Sequence, residues 1–174
     1  MTLQRLTLVL GGAASGKSSF AEKLVTESGG APIYVATAQA FDAEMAEKIA
    51  AHRESRGDGW MTVEAPRDLA AALSEVEPGS VVLLDCATMW LTNRLLADAP
   101  LDTAGEELLG AVAGCRAPVV VVSNEVGQGI VPEHAMSRAF REAQGRLNQQ
   151  VAADADLVVA VMAGLPLVLK GSLP

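Results

Sequence analysis

The chain has 174 residues, of which 50% are hydrophobic and 3% aromatic, and its formal net charge is −8. This length predicts one domain over residues 1–174, with a core of alanine, valine and leucine. The negative charge argues against nucleic acid or an anionic membrane as the main partner. Cys86 and Cys115 lack the spacing of metal ligands, no apolar stretch reaches membrane-span length, and no signal-peptide pattern is seen. We therefore expect a cytoplasmic, reducing setting.

Apolar runs along the chain predict six strands: Leu6–Leu10, Ile33–Ala36, Val81–Leu84, Val119–Val122, Leu157–Met162 and Leu165–Leu169. Helices are predicted between them, roughly over 17–28, 42–53, 67–76, 87–97, 103–114 and 133–153. This alternation indicates an α/β fold with a mainly parallel sheet and helices on both faces. The last two runs predict a hairpin or an edge pair. The polar stretch 55–60 predicts an exposed loop.

Residues 11–18 have the G-x-x-x-x-G-K-[ST] spacing of a phosphate-binding P-loop, and they lie between a predicted strand and a predicted helix. Glycines allow backbone N–H groups to turn toward phosphate oxygens, and the helix N-terminus adds its positive dipole end. Lys17 is expected to reach the β- and γ-phosphates, and the Ser18 hydroxyl to ligate Mg²⁺. A glycine-rich turn that binds nothing is the alternative. The predicted phosphate-binding residues are Gly11, Gly12, Ala13, Ala14, Ser15, Gly16, Lys17 and Ser18.

Asp85 closes the apolar run Val81–Leu84. In P-loop proteins a strand beside the P-loop strand ends in such an acid, which holds the Mg²⁺ shell at the carboxyl end of the sheet. Asp85 and Ser18 are therefore the predicted metal-site residues. The alternative is that Asp85 caps the helix that contains Met89.

His52 lies near the end of the predicted helix over 42–53 and is followed by Arg53 and Arg56. A neutral imidazole is a good nucleophile toward phosphorus, and nearby cations balance phosphate charge. On the residues alone, the stronger interpretation is a histidine favoured by the negative end of the helix dipole.

Several other residues lie at or near predicted strand ends. At Thr37, a ligand contact and a hydroxyl bonded to the backbone are equally expected. Trp60 and Trp90 are predicted to pack rather than to stack on bases. Asn124 and Glu125 end the fourth predicted strand, at the edge where α/β proteins bind ligands.

Further motifs run along the whole chain: Tyr34-Val-Ala-Thr-Ala38, Asp42-x-Glu-Met45, His52-Arg53…Arg56…Trp60, Thr62-Val-Glu64, Leu84-Asp-Cys86, Trp90-Leu-Thr-Asn93, Ser123–Glu133, Gly145–Gln149 and Ala163–Pro166. With the P-loop, they resemble the bifunctional adenosylcobinamide kinase/adenosylcobinamide-phosphate guanylyltransferase family of cobalamin biosynthesis. The Asn124–Glu133 stretch and the His52 loop are the most specific of these motifs. Ala14, where relatives often have arginine, and Gly57-Asp58-Gly59, in place of a proline-containing loop, depart from the pattern.

The resemblance implies a P-loop NTPase fold of the RecA-like kind and two reactions. Adenosylcobinamide is phosphorylated by ATP or GTP with Lys17 and Mg²⁺. His52 then accepts GMP from GTP covalently and passes it on, giving adenosylcobinamide-GDP. A homo-oligomer, and a trimer in particular, is also implied. The implied nucleotide contacts beyond the P-loop are Ala36, Thr37, Ala38, Arg53, Glu54, Ser55, Arg56, Glu64 and Asp85.

Two other functions remain open from the sequence. One is a small-molecule P-loop kinase that never forms a nucleotidyl-enzyme. The other is a regulatory NTP-binding module that uses hydrolysis as a switch, although the chain offers no extra domain to be switched.

Overall fold

The computed structural model describes residues 3–40, 47, 57 and 59–174. The helix predicted over 42–53 therefore lies almost wholly outside the described residues. The described elements, in chain order, are β1 (Leu6–Gly11), α1 (Lys17–Glu27), β2 (Ala31–Ala36), β3 (Met61–Glu64), α2 (Leu69–Ser74), β4 (Ser80–Asp85), α3 (Ala87–Leu96), α4 (Ala104–Gly114), β5 (Val119–Asn124), α5 (Ala135–Asp154), β6 (Leu157–Met162) and β7 (Leu165–Lys170).

One seven-stranded sheet organises the chain, in the order β3-β2-β4-β5-β1-β6-β7. The pairings among β1 to β6 are parallel, and β7 runs antiparallel to β6. The β6–β7 connection is a two-residue turn at Ala163 and Gly164, which both have positive φ, as a tight hairpin requires. Because the parallel strands share one direction, their carboxyl ends meet at one edge. This arrangement confirms the mainly parallel sheet and the terminal hairpin.

Both faces of the sheet are covered by helices, as expected. Alternate residues along a strand point to opposite faces. On one face, Leu8, Leu84 and Val121 belong to a core that includes residues of α2, α3, α4 and α5. On the other face, Val9 and Val122 belong to a second core that includes residues of α1. The central strands are thus buried on both faces, which explains their continuous apolar runs.

The strand order corrects one expectation about the site. The strand that ends in Asp85 is not beside the P-loop strand, because β5 lies between β4 and β1. Strand order depends on pairing between segments that are far apart in the chain, so the apolar runs alone did not reveal that β5 lies between β4 and β1. The β3 strand was also absent from the predicted strands. Its four residues are exposed or half-buried at the sheet edge, so the sequence contains no apolar run that would predict a strand there.

The remaining differences are small. The final long helix begins at Ala135 rather than 133, with His134 at its N-cap position. Both cysteines are free thiols, Cys86 being buried and Cys115 half-buried. Among the described residues, no helix combines the length and apolarity needed to cross a membrane.

Candidate nucleotide-binding site

The P-loop connects β1 to α1 at the carboxyl edge of the sheet. A Cβ at Gly11 would lie 2.3 Å from Ser15 Oγ and 2.7 Å from the Val161 carbonyl oxygen, so only glycine fits there. Gly16 holds a left-handed φ of 92° at the N-cap of α1 and supplies no side-chain cap. The first N–H groups of α1 are therefore available to an anion. Lys17 Nζ donates to the Gly12 carbonyl at 3.1 Å, which keeps the ammonium over the loop.

The turn between β6 and β7 supports this loop. Gly164 N donates to the Ser15 carbonyl at 2.8 Å. A Cβ on Gly16 would lie only 3.1 Å from Gly164 Cα, so the two backbones are in close contact. The loop shape is thus set partly by a residue almost 150 positions away in the chain.

Asp85 ends β4 on the face of the sheet that α1 covers. Val81 and Leu83 belong to the α1-side core, and Asp85 follows them in the strand alternation. The N-cap residue of α3 is Cys86 rather than Asp85, and the Cys86 thiol accepts from Met89 N at 3.4 Å. Burial, and then the negative charge of Asp85, raise the pKa of the Cys86 thiol to about 11, while the positive charge of Lys17 opposes the rise. The charges of Lys17 and Asp85 therefore both influence the pKa of the Cys86 thiol, in opposite directions.

The pair of Ser18 and Asp85 suits a nucleotide-bound Mg²⁺. Ser18 is half-buried in the first turn of α1, and Asp85 is half-buried at the end of β4. Both offer hard oxygen donors at the same edge. Within the described residues, no group of three or more histidine, cysteine, aspartate or glutamate side chains forms a metal cage. Mg²⁺ is usually held by one or two protein oxygens together with substrate phosphates and waters, so a sparse pair of this kind fits.

The loop after β2 lies on the other side of Asp85. Thr37 is fully buried. Its hydroxyl donates to the Cys86 carbonyl at 2.7 Å and accepts from Cys86 N at 2.8 Å. Its own carbonyl accepts from Asn93 Nδ2 at 2.7 Å. Of the two equal expectations for Thr37, the geometry supports the backbone-bonded hydroxyl, and the nucleotide contact at Thr37 stays a prediction.

The neighbours of Thr37 are more open. Ala36 and Ala38 are half-buried on either side of it, and Glu64 is exposed at the end of β3. Ala36 and Glu64 are paired in register, and Ala65 N donates to the Ala36 carbonyl at 2.8 Å. The structure therefore brings the predicted contacts at Ala36, Ala38 and Glu64 to one corner of the carboxyl edge.

A buried polar network secures the end of β5. Ser123 Oγ donates to Asn148 Oδ1 at 2.6 Å, and Gln144 Nε2 donates to both oxygens at 2.9 Å. Asn148 Nδ2 then donates to the Asn124 carbonyl at 3.1 Å. On the opposite side, Asn124 N donates to Thr88 Oγ1 at 2.8 Å.

Sequence reasoning missed Gln144 and Thr88 in this network. A signal for part of it was present, because Gln144 and Asn148 are polar residues four apart on the buried face of α5, where apolar residues are expected.

The tryptophans pack, as predicted. Trp90 is buried, and its indole N–H donates to the Arg67 carbonyl at 2.9 Å. Trp60 meets Tyr34 edge to face, with ring centroids 6.4 Å apart. The predicted residues His52, Arg53, Glu54, Ser55 and Arg56 lie outside the described residues.

A P-loop between a strand and a helix, with an acid two strands away on the edge of a parallel sheet, defines a P-loop NTPase of the RecA-like class. An ATPase of a bacterial type III secretion system has a TM-score of 0.58 to the chain, at 10% identity, covering 95% of this chain and 57% of that one. Within this class, the chain belongs to the cobinamide kinase / cobinamide phosphate guanyltransferase family, whose model matches residues 7–169.

Curated relatives agree along almost the whole chain. The bifunctional adenosylcobalamin biosynthesis protein CobP of Pseudomonas aeruginosa is 48% identical over 167 residues, covering 94% of this chain and 96% of the relative. The protein CobU of Escherichia coli, with the same descriptive name, is 39% identical over 181 residues, covering 95% and 99%. The resemblance drawn from the motifs is confirmed. A structure of project PH0250 from Pyrococcus horikoshii shares the fold, with a TM-score of 0.58 at 8% identity over 98% of this chain and 88% of that one.

Proposed function

We propose that the chain phosphorylates adenosylcobinamide with ATP or GTP and then transfers GMP from GTP to the product. The products of the second step are adenosylcobinamide-GDP and pyrophosphate. One structural observation carries the proposal: the uncapped N-terminus of α1 and Lys17 lie on the face of the sheet that also holds Asp85. The chain also belongs to the bifunctional family.

In the kinase step, the oxygen of a substrate hydroxyl attacks the γ-phosphorus of the nucleotide. The bond from that phosphorus to the β–γ bridging oxygen breaks, the nucleoside diphosphate leaves, and the hydroxyl proton is released. The α1 N–H groups and Lys17 bind the phosphate oxygens and stabilise the charge that develops on them. Ser18 and Asp85 would hold Mg²⁺, which supplies further neutralisation of phosphate charge when bound.

In the guanylyl step, His52 attacks the α-phosphorus of GTP and pyrophosphate leaves, which creates a phosphorus–nitrogen bond. A phosphate oxygen of the corrinoid then displaces the imidazole and takes the GMP. Support comes from the family motif around His52, with Arg53 and Arg56 as nearby cations. The corner formed by Ala36, Ala38 and Glu64 is proposed to contact the guanine nucleotide, together with Glu54 and Ser55.

We further propose a homo-oligomer in the cytoplasm, with a trimer as the form that the family implies. The edge strand β7 supports self-association, because all six of its residues are exposed and four are apolar. An uncovered apolar edge strand is a template for pairing with another chain. The net charge of −8 fits a protein whose partners are a corrinoid and nucleotides rather than nucleic acid or membrane.

The test is incubation of the purified chain with Mg²⁺ and α-labelled GTP. The protein should retain label through denaturation, and the label should be labile in acid and stable in alkali, as a phosphoryl imidazole is. Cobinamide phosphate should discharge the label into product, and pyrophosphate should return it to GTP. His52→Asn should take up no label yet still phosphorylate cobinamide, whereas His134→Asn, the matched control, should behave like wild type.

Other results would point to other functions. Cobinamide phosphorylation without any label on the wild-type protein would identify a simple P-loop kinase. Nucleotide hydrolysis without transfer to cobinamide would identify a regulatory module. Label on the His52→Asn protein would rule out His52 as the nucleophile.

A further inference from the structure

Asn124 occupies a central place at the carboxyl edge of the sheet. It is the last residue of β5, the strand inserted between the P-loop strand β1 and the strand β4 that ends in Asp85. Its register partner is Gly11, the first residue of the P-loop. Neighbouring strands are about 4.8 Å apart, so Asn124 lies in the gap of about 10 Å between the P-loop strand and the strand of Asp85.

The side chain of Asn124 lies on the same face as the phosphate-binding groups. Val120 and Val122 of β5 belong to the core that α1 covers, and Asn124 continues this alternation without a register shift. Asp85 continues the alternation of β4 on the same face. Asn124, Asp85 and the start of α1 therefore share one side of the edge.

The backbone of Asn124 is fixed from both sides, but its side-chain oxygen is not. Thr88 accepts from the Asn124 N–H, and Asn148 donates to the Asn124 carbonyl. Asn124 Oδ1 is buried and receives no hydrogen bond from any described residue. A buried amide oxygen without a partner is costly, and such a group in a native structure points to a role. The same side-chain amide carries two N–H donors, and no hydrogen bond from Asn124 to a described residue occupies them.

We propose that Asn124 is a further catalytic residue of the kinase step, and that its side-chain amide N–H donates to an oxygen of the γ-phosphoryl group. Such a bond strengthens as that group transfers from the β–γ bridging oxygen to the substrate hydroxyl oxygen, because negative charge builds on the phosphoryl oxygens and the leaving oxygen. The Thr88 and Asn148 contacts hold the residue in position beforehand. This inference rests on the proposed kinase function and adds a contact to it.

The test compares steady-state phosphorylation of cobinamide by the wild-type, Asn124→Ala and Asn124→Asp proteins. Loss of one preorganised donor lowers kcat by about 100-fold or more. Nucleotide affinity should change less than kcat in Asn124→Ala, and its melting temperature should stay within about 4 °C of wild type. Asn124→Asp keeps the shape but faces the phosphates with a carboxylate, so it should lose kcat at least as strongly and bind the nucleotide more weakly.

Thr7→Val is the matched control. Thr7 Oγ1 is another buried oxygen without a partner among the described residues, in β1 on the same face of the sheet. It lies four residues before Gly11, about 13 Å along the strand. Its kcat should stay within about two-fold of wild type, as expected for a site away from the phosphates.

The outcomes separate this inference from the function on which it rests. A kcat near the wild-type value in either Asn124 variant overturns the inference while leaving the kinase function intact. An equal loss in Thr7→Val overturns it as well, because the effect would then not be specific to the site edge. Absence of phosphoryl transfer to cobinamide by the wild-type protein overturns both.

Discussion

Thr37 and Cys86 form a two-way hydrogen-bonded pair: the Thr37 hydroxyl donates to the Cys86 carbonyl and accepts from the Cys86 N–H. The pair joins the end of β2 to the residue that follows Asp85. Thr37→Val removes the hydroxyl at nearly constant volume and leaves the buried Cys86 N–H without this partner, while the Cys86 carbonyl still accepts from Trp90 N at 3.1 Å. We expect a loss of about 1–3 kcal/mol in the free energy of unfolding, measured by urea titration.

Thr26→Val is the control for this prediction, because the Thr26 hydroxyl is exposed and bonds only to carbonyls of its own helix. An equal loss of unfolding free energy in both variants would show that the Thr37–Cys86 pair contributes no more to stability than the exposed hydroxyl of Thr26.

Lys17→Ala should lower kcat for cobinamide phosphorylation by about 100-fold or more and weaken triphosphate binding, because the main side-chain charge over the P-loop is lost. Lys23→Ala is the control on the same helix. Lys23 is exposed and pairs with Glu27 at 3.7 Å, a contact that contributes little. Phosphorylation by Lys17→Ala within a few-fold of wild type would contradict the assignment of residues 11–18 as the phosphate-binding loop.

Asp85→Asn keeps the shape of the side chain and removes its charge. The Mg²⁺ concentration needed for half-maximal phosphorylation should rise, because the carboxylate charge that would hold Mg²⁺ and its waters is lost. A Mg²⁺ titration of initial rates measures this change. Asp98→Asn is a suitable control, since Asp98 is exposed and has a positive φ that asparagine tolerates. Identical Mg²⁺ titrations for Asp85→Asn and wild type would remove Asp85 from the metal site.

Arg94 and Glu107 give a pH-dependent contribution to stability. Both guanidinium NH groups of buried Arg94 contact the Glu107 carboxylate, one of them at 2.9 Å, and this contact lowers the pKa of Glu107. A lowered folded pKa stabilises the fold fully above the unfolded pKa of about 4.3, and the contribution is lost as pH falls through the folded value. Because half of the Glu107 side chain is exposed, we expect about 1 kcal/mol.

The measurement is urea unfolding of wild type and Glu107→Gln at pH 7 and near pH 3. Wild type should be the more stable at pH 7, and the difference should shrink at the acidic pH. Glu106→Gln is the control, being exposed in the same helix turn. A difference that does not depend on pH would mean that the carboxylate charge is not the stabilising feature.

The sequence predicted most reliably those features that depend on neighbouring residues. The P-loop is one contiguous stretch, and its strand–loop–helix context was correct. The continuous apolar runs of β1, β4 and β5 follow from burial on both faces. Strand order could not be predicted in this way. β5 lies between β1 and β4 because segments far apart in the chain pair with each other, and no single run of residues indicates which strands will be neighbours.

The contacts within the site also depend on residues that are far apart in the chain. The role of Thr37 depends on Cys86, 49 positions away, and the fixing of Asn124 depends on Asn148, 24 positions away. The sequence left two roles open for Thr37, and its distant partner favours one of them. For Asn124 the sequence indicated only a place at the ligand-binding edge. Likewise β3 gained its strand conformation by pairing with β2 rather than from its own composition, since half-exposed edge residues show little periodicity.

The hydrogen bond from Gly164 N to the Ser15 carbonyl couples the conformation of the terminal hairpin to that of the phosphate-binding loop. Any molecule that associates with the β7 edge and shifts this turn would change nucleotide affinity, and by reciprocity the nucleotide would change that association by the same factor. Subunit association and nucleotide binding would then be coupled. A difference in the subunit dissociation constant with and without nucleotide would measure that coupling.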